Sequence, residues 1–298
     1  PRPEDRPQKG ACDWVRRLYR ALQGPRVGSG QPGPPPPLQT QPQAEPASLP
    51  EKIVRAWEDT GAQVGWMGRT RFGMSAFGAT QEEVLQGLQE LSDFLKPEEV
   101  QFLPVFRFSY WQEGLIWTLP EPTVPFGMDL STSGITDTGL QDLAGLKNLQ
   151  VLVLRGTQIT DAGMVHLAGL KNLQGLDLSH SQITGARLKK LARLTNLQEL
   201  DLQGTEITDG GLEKLAGLKN LQRLDLGLTK ITDAGLEHLY EMKNLQWLSL
   251  LGTEITDVAL VHLMGMKNLQ VLNLWSTLIT DAGLEKLRKA LPGCEIVK

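Results

Sequence analysis

From Gly145 onward the chain repeats itself every 24 residues, and this periodicity constrains the fold more than any other feature. Copies begin at Gly145, Gly169, Arg193, Gly217, Glu241 and Gly265, with no insertion between them. A shortened copy, FGMDLSTSGITDTGLQDLA, precedes them from Phe126, and LPGCEIVK from Leu291 begins a further unit and stops. Each copy carries L-x-x-L-x-L-x-x-T-x-I-T-D, as Leu149, Leu152, Leu154 and Ile159 illustrate. The L-x-L portion has the period of two expected of a strand. After Thr160-Asp161 the spacing turns helical, with Met164, Leu167 and Leu170 three apart. The Thr-Asp pair sets side-chain oxygens at a helix start, where backbone N–H groups lack partners. One unit cannot bury its own leucines, but stacked units bury them against each other. The pattern therefore predicts a parallel sheet on one face and short helices on the other.

These motifs resemble the leucine-rich repeat family over residues 126–298. The T-x-ITDAGL version is similar to the repeats of bacterial leucine-rich repeat proteins and of F-box-associated substrate receptors. The resemblance implies an α/β solenoid, or horseshoe, with a parallel sheet on its concave face and helices on its convex face. In that family the ninth motif position is Asn or Cys and bonds neighbouring backbone. Here it is Ser133, Thr157, Ser181, Thr205, Thr229, Thr253 and Thr277, and a hydroxyl ladder is expected to do the same bonding. Two copies depart from the pattern. ITGARLKK has Gly185 in place of Asp and so loses a cap, and ITDVALVH has Ala259 in place of glycine.

The sequence before the repeats divides in two. Residues 1–49 are rich in Pro, Gly and Gln and read as a linker or tail. Within them CDWVRRLYRALQG sets Trp14, Leu18 and Leu22 on one helical face with arginines mostly elsewhere, a segment suited to a partner or an acidic membrane surface if it is more than a transient helix. Residues 50–125 read as an α+β cap that covers the open leucine edge of the array. LPEKIVRAWEDTGA predicts a helix and QVGWMGR a strand. TQEEVLQGLQELSDFL predicts a helix capped by Thr80 with Glu83, with Val84, Leu88, Leu91 and Leu95 along one side. VQFLPVFRFSYW and GLIWTLP predict strands. The run from about Gly73 to Pro125 is longer than a minimal cap requires.

A net charge of −4 argues against nucleic acid as the partner, since phosphate binding needs a basic face. Cys12 and Cys294 stand at opposite ends of the chain, without disulfide or metal-site spacing, which suits a reducing, cytoplasmic setting. No apolar run is long enough to span a bilayer, and the chain begins at Pro1, so upstream information is a possibility the sequence leaves open. His166, His238 and His262 share one helical position but lack further metal ligands at useful spacing, and they read as solvated polar residues. No cofactor or metal is expected.

The strand columns carry more information. The residue inside L-x-L is Asp129, Val153, Asp177, Asp201, Asp225, Ser249 and Asn273, so the central aspartates form a carboxylate row on the concave sheet. Asp is common at this place in the family. Like charges in register call for solvent or a partner cation. The preceding column runs Gly127, Val151, Gly175, Glu199, Arg223, Trp247 and Val271, and the following one Ser131, Arg155, Ser179, Gln203, Gly227, Leu251 and Trp275. Leu228, Trp247, Leu251, Val271 and Trp275 thus gather in the last repeats as an expected exposed apolar patch, unless the tryptophans lie on neighbouring side chains or under the C-terminal tail.

The expected function is a non-enzymatic module binding a protein or peptide with a basic segment across the concave face. Arg223, Asp177, Asp201, Asp225 and Glu199 would join the apolar residues there. Two alternatives stay open: the sensor or substrate-recognition part of a longer signalling or ubiquitin-ligase-like protein, and an enzyme within residues 50–125.

Overall fold

The computed structural model describes residues 48–69, 75–91 and 100–298. The segment Trp14–Leu22 and Leu95 lie outside the described residues. The strands are β1 (Gln63–Arg69), β2 (Ser75–Gly78), β3 (Gln101–Arg107), β4 (Phe126–Asp129), β5 (Leu149–Val153), β6 (Gly175–Asp177), β7 (Glu199–Asp201), β8 (Arg223–Asp225), β9 (Trp247–Ser249), β10 (Val271–Asn273) and β11 (Glu295–Val297). All join one 11-stranded sheet in the order β11-β10-β9-β8-β7-β6-β5-β4-β3-β1-β2. From β3 to β11 neighbours are parallel. Because the period never changes, residues 24 apart face each other, and Leu152, Leu176, Leu200, Leu224 and Leu248 form one column.

The second half of each repeat has few residues in which to return to the next strand. It closes as a short α-helix at Leu140–Leu143, Met164–Leu167, Asp209–Glu213 and Leu260–Leu263, as a 3-10 helix at Leu188–Arg193 and Asp233–Glu241, and as a longer α-helix at Asp281–Ala290 before the last strand. Leu143, Leu167, Leu191, Leu215, Leu239 and Leu263 on this side meet the strand leucines in one continuous core.

Polar ladders between repeats reinforce that core. In the N-L-Q motif, Asn172, Asn196, Asn220, Asn244 and Asn268 each donate from Nδ2 to a backbone carbonyl of the preceding repeat, at 2.7–3.0 Å. The Asp of ITD caps the following repeat: Asp209 accepts from Thr232 N at 2.9 Å and from its hydroxyl at 2.7 Å, and Asp233 does likewise for Thr256. Gly185 interrupts this ladder, because it has no carboxylate to accept from Thr208 as Asp209 does from Thr232. The ninth-position hydroxyls act differently from expectation. Each donates to the carbonyl three residues earlier in its own turn, as Thr205 does to Leu202 at 2.6 Å. The connections between repeats are made instead by the asparagine before the first strand leucine and by the Asp of ITD.

The cap continues the sheet. Helix α1 (Glu51–Glu58) buries Ile53 and Trp57 at the first repeat's open end, where the Trp57 ring stacks on Phe106 at 4.1 Å and its Nε1 donates to the Pro120 carbonyl. Helix α2 (Gln81–Leu91) starts with the Thr80 hydroxyl accepting from Glu83 N and the Glu83 carboxylate accepting from Ala79 N. It packs Val84 and Leu88 against Val100, with Trp66 and Phe102 beside them. Close approach requires Gly68, where a Cβ would lie 2.4 Å from Val84. GLIWTLP is not a strand: Ile116–Thr118 is a 3-10 turn that buries Ile116 and leaves Trp117 exposed. Four residues, Ser75–Gly78, instead supply the edge strand β2, which the sequence reading did not assign.

Candidate interaction surface

The side chains between the buried leucines emerge on the sheet face opposite the helices. Asp177, Asp201 and Asp225 stand directly across from one another there, as the sequence implies. Their first task is local. Asp177 Oδ1 accepts from Ser179 N, Asp201 Oδ1 from Gln203 N and Asp225 Oδ1 from Gly227 N, at 2.8–2.9 Å. Asn273 Oδ1 accepts from Trp275 N in the same way. This bond, two residues forward, folds the chain out of the strand as an Asx-turn. Burial lifts the Asp201 carboxyl well above its ordinary range, and repulsion from Asp225 and Asp177 adds to the lift. Burial also raises Asp225, although the guanidinium of Arg223, 3.7 Å from its carboxylate, opposes the shift.

The turn residue that follows lies in the left-handed region in every repeat. Thr132, His180, Leu228 and Ser276 alternate there with Gly156, Gly204 and Gly252, with φ between 54° and 66°. The alternation has a steric cause. Each larger side chain lies over the next repeat's glycine: a Cβ on Gly204 would lie 2.4 Å from the His180 ring, and one on Gly252 would lie 2.7 Å from Leu228 Cδ2.

The expected apolar patch is split by the structure. Trp247 and Val271 are not exposed, at 4% and 2% relative accessibility. They pack on each other and on Val297 of β11, and Arg223 lies flat over the indole at 3.4 Å. Those two assignments to an open patch are corrected: the tryptophan is covered by its own neighbours. Trp275 and Leu228 remain outside, at 55% and 52%, with Leu251 half-buried between them. Leu251 leans over Gly227, where a Cβ would come within 3.1 Å of its own Cβ. The surviving apolar surface is therefore a lip at the strand ends of the last repeats.

The cap reaches onto the same face. Arg69, at the end of β1, places Nη2 2.5 Å from Oε1 of Glu199 in β7. In sheet order these strands are five neighbours apart, about 24 Å if the sheet were flat at the usual strand spacing. An arginine side chain cannot cover that distance, so the cap end of the sheet bends over the open face of the repeats. Met67, Leu103 and Val105 of the cap close over Val151, with Phe77 and Val153 alongside. Gly127 and Gly175 leave room for them: a Cβ would lie 3.3 Å from Leu103 in the first case and 3.3 Å from Arg69 in the second. A cleft of ≈ 70 Å³ remains between this overhang and Arg223, lined by Asp177, Glu199 and Asp201. The residues for which the sequence suggested no task, from about Gly73 onward, thus contribute to an overhang across the concave face. No local pattern in the sequence reports this, because the contact joins residues far apart in the chain.

Elsewhere, His238 lies 3.7 Å from the carboxylate of its neighbour Glu237. Among the described residues no cluster of His, Cys, Asp and Glu is placed to hold a metal, and no helix is long and apolar enough to cross a membrane.

The chain matches the family model described as leucine rich repeat over residues 147–207, and that described as leucine rich repeats (2 copies) over residues 195–239. Internalin C2 of Listeria monocytogenes has a similar structure, at 24% identity and a TM-score of 0.50, covering 85% of this chain and 100% of that one. A second Listeria internalin is 24% identical with a TM-score of 0.44, covering 58% of this chain and 53% of that one, so this chain spans about half its length. A leucine-rich repeat protein of Leptospira interrogans is 26% identical with a TM-score of 0.39, covering 58% and 54%. No curated protein matches the chain.

Proposed function

Because the chain is a leucine-rich repeat protein, and such proteins generally mediate protein–protein interaction, we propose that it binds a protein partner at the C-terminal half of its concave face. Leu228 carries this reading. It holds φ at +54°, where the equivalent residue in the adjacent repeats is glycine, and it presents a half-exposed leucine beside Leu251 and Trp275. A leucine in the left-handed region costs about 1–2 kcal/mol relative to an ordinary conformation. Thr132, His180 and Ser276 hold the same left-handed position elsewhere in the array, so what distinguishes Leu228 is an exposed apolar side chain where the others are polar. The partner would seat apolar side chains on the lip and set a basic segment beside Asp225, where a cation favours the ionised carboxylate that burial disfavours.

The experiment is a quantitative affinity capture with the full chain and with a Leu228→Gly, Trp275→Ala variant. A specific partner should be enriched by the parent and depleted at least about tenfold by the variant, the effect of losing a small hot spot. A Glu254→Ala control on the exposed turn should retain it. Equal capture by parent and double variant would remove the lip from the assignment.

A further inference from the structure

We propose that the concave face of the early repeats is a second, covered binding surface for an arginine-bearing segment of a partner protein, and that Arg69 of the cap occupies it in the resting chain. The proposal goes beyond the lip, since it concerns the opposite half of the face.

The column preceding the aspartates is shaped for an occupant. It holds Gly127, Val151 and Gly175 where the overhang passes, and Arg223 and Trp247 where it does not reach. The chemistry of the occupied place is specific. The Arg69 side chain is only 10% exposed and meets Glu199, with Asp177 and Asp201 lining the same cleft. A guanidinium supplies several donors to such a group of carboxylates, so a partner's arginine at this place replaces Arg69 like for like. The adjoining cleft, still open between Arg69 and Arg223, gives an incoming segment a first foothold before Arg69 leaves.

The overhang is also built to lift. β1 and β3 pair along their whole length, from Gln63↔Arg107 to Arg69↔Gln101. β3 pairs with β4 only at Val105, Phe106 and Arg107. The portion carrying Met67, Arg69 and Leu103 therefore projects past the last bond to the repeats and can rise without breaking that ladder. Its own packing of Val84, Leu88 and Val100 travels with it, separate from the main core. Among the described residues it is held to the repeats by the Arg69–Glu199 ion pair and the small apolar contact on Val151 and Val153, and at its base by Arg107, which pairs with Asp129 and lies over the Phe77 ring.

The test needs no identified partner. In the full chain carrying Cys12→Ser and Cys294→Ser, Val151→Cys places a thiol beneath the overhang, and Leu224→Cys places one in the main core. Val153→Cys is the substitute if the first variant folds poorly. Labelling by a thiol reagent should be at least about tenfold faster at position 151 than at 224, as for a local opening set against a global one. A tetra-arginine peptide should accelerate labelling at 151 about tenfold further, as a ligand that selects the lifted state, and tetra-glutamate should not. Arg69→Ala should accelerate it without peptide, with circular dichroism unchanged. Labelling at 151 that tracks position 224 in every condition would show that the overhang is a fixed part of the core and overturn the proposal. Fast labelling indifferent to tetra-arginine would overturn the arginine-binding assignment.

Discussion

Arg69 and Glu199 are 130 residues apart in the chain and 2.5 Å apart in space, joined across the hollow of the sheet. The pair ties the strand that precedes the repeats to the middle of the array, and it neutralises one acid beside two others, Asp177 and Asp201. Its loss acts on both the path of the chain and the electrostatics of the face.

Arg69→Met should destabilise the protein by about 2 kcal/mol, because it removes the guanidinium that Glu199 touches and leaves that half-buried acid beside Asp177 and Asp201 with Arg223 across the cleft. Glu199→Gln should cost less, since Arg69 keeps Asp177 and Asp201 near. The double variant should recover part of the loss, with a coupling of about 1 kcal/mol between the two sites. Urea unfolding of the four proteins in the cycle measures it, and additivity of the single changes would show that the pair contributes nothing.

The two concave-face tryptophans should behave oppositely. Trp247→Ala removes a ring enclosed by Val271, Val297 and Arg223 and should cost about 3 kcal/mol of stability. Trp275→Ala removes a ring more than half exposed and should change stability by less than about 0.5 kcal/mol. Thermal or urea melts distinguish them directly. Equal losses would mean that Trp275 is packed as Trp247 is.

Glu295 on the last strand should make stability depend on pH. Both its carboxylate oxygens are buried without a hydrogen-bond partner, and burial pushes its pKa up to about 7. The folded state therefore holds this proton more tightly than the unfolded chain, whose carboxyl titrates near 4.5. Its contribution favours folding at low pH and is lost as pH rises from about 4.5 to 7. The side chain is only half enclosed, so with solvent screening the change amounts to about 1 kcal/mol. Glu295→Gln should flatten this part of the stability profile and raise the melting temperature at pH 8. A variant that leaves the pH profile unchanged would place the titration elsewhere.

The repeats were readable residue by residue, and the face was readable only in part. The Asp column was legible as a row in register, yet its bonds to Ser179, Gln203 and Gly227 show that each member first serves its own turn. The apolar residues of the last repeats were legible as a cluster. Which of them remain in solvent depended on Arg223 stacking over Trp247 and on β11 arriving beside Val271.

A constant 24-residue period with leucines at fixed offsets determined the stacked parallel sheet, the helical return and the continuous core. Each of those follows from local geometry repeated by translation, which one chain's sequence contains in full. The path of the cap was decided only in three dimensions. Nothing near Arg69 in the sequence points to Glu199; the cap's projecting strands lie over the face and bring them together, and that path depends on residues of several repeats at once.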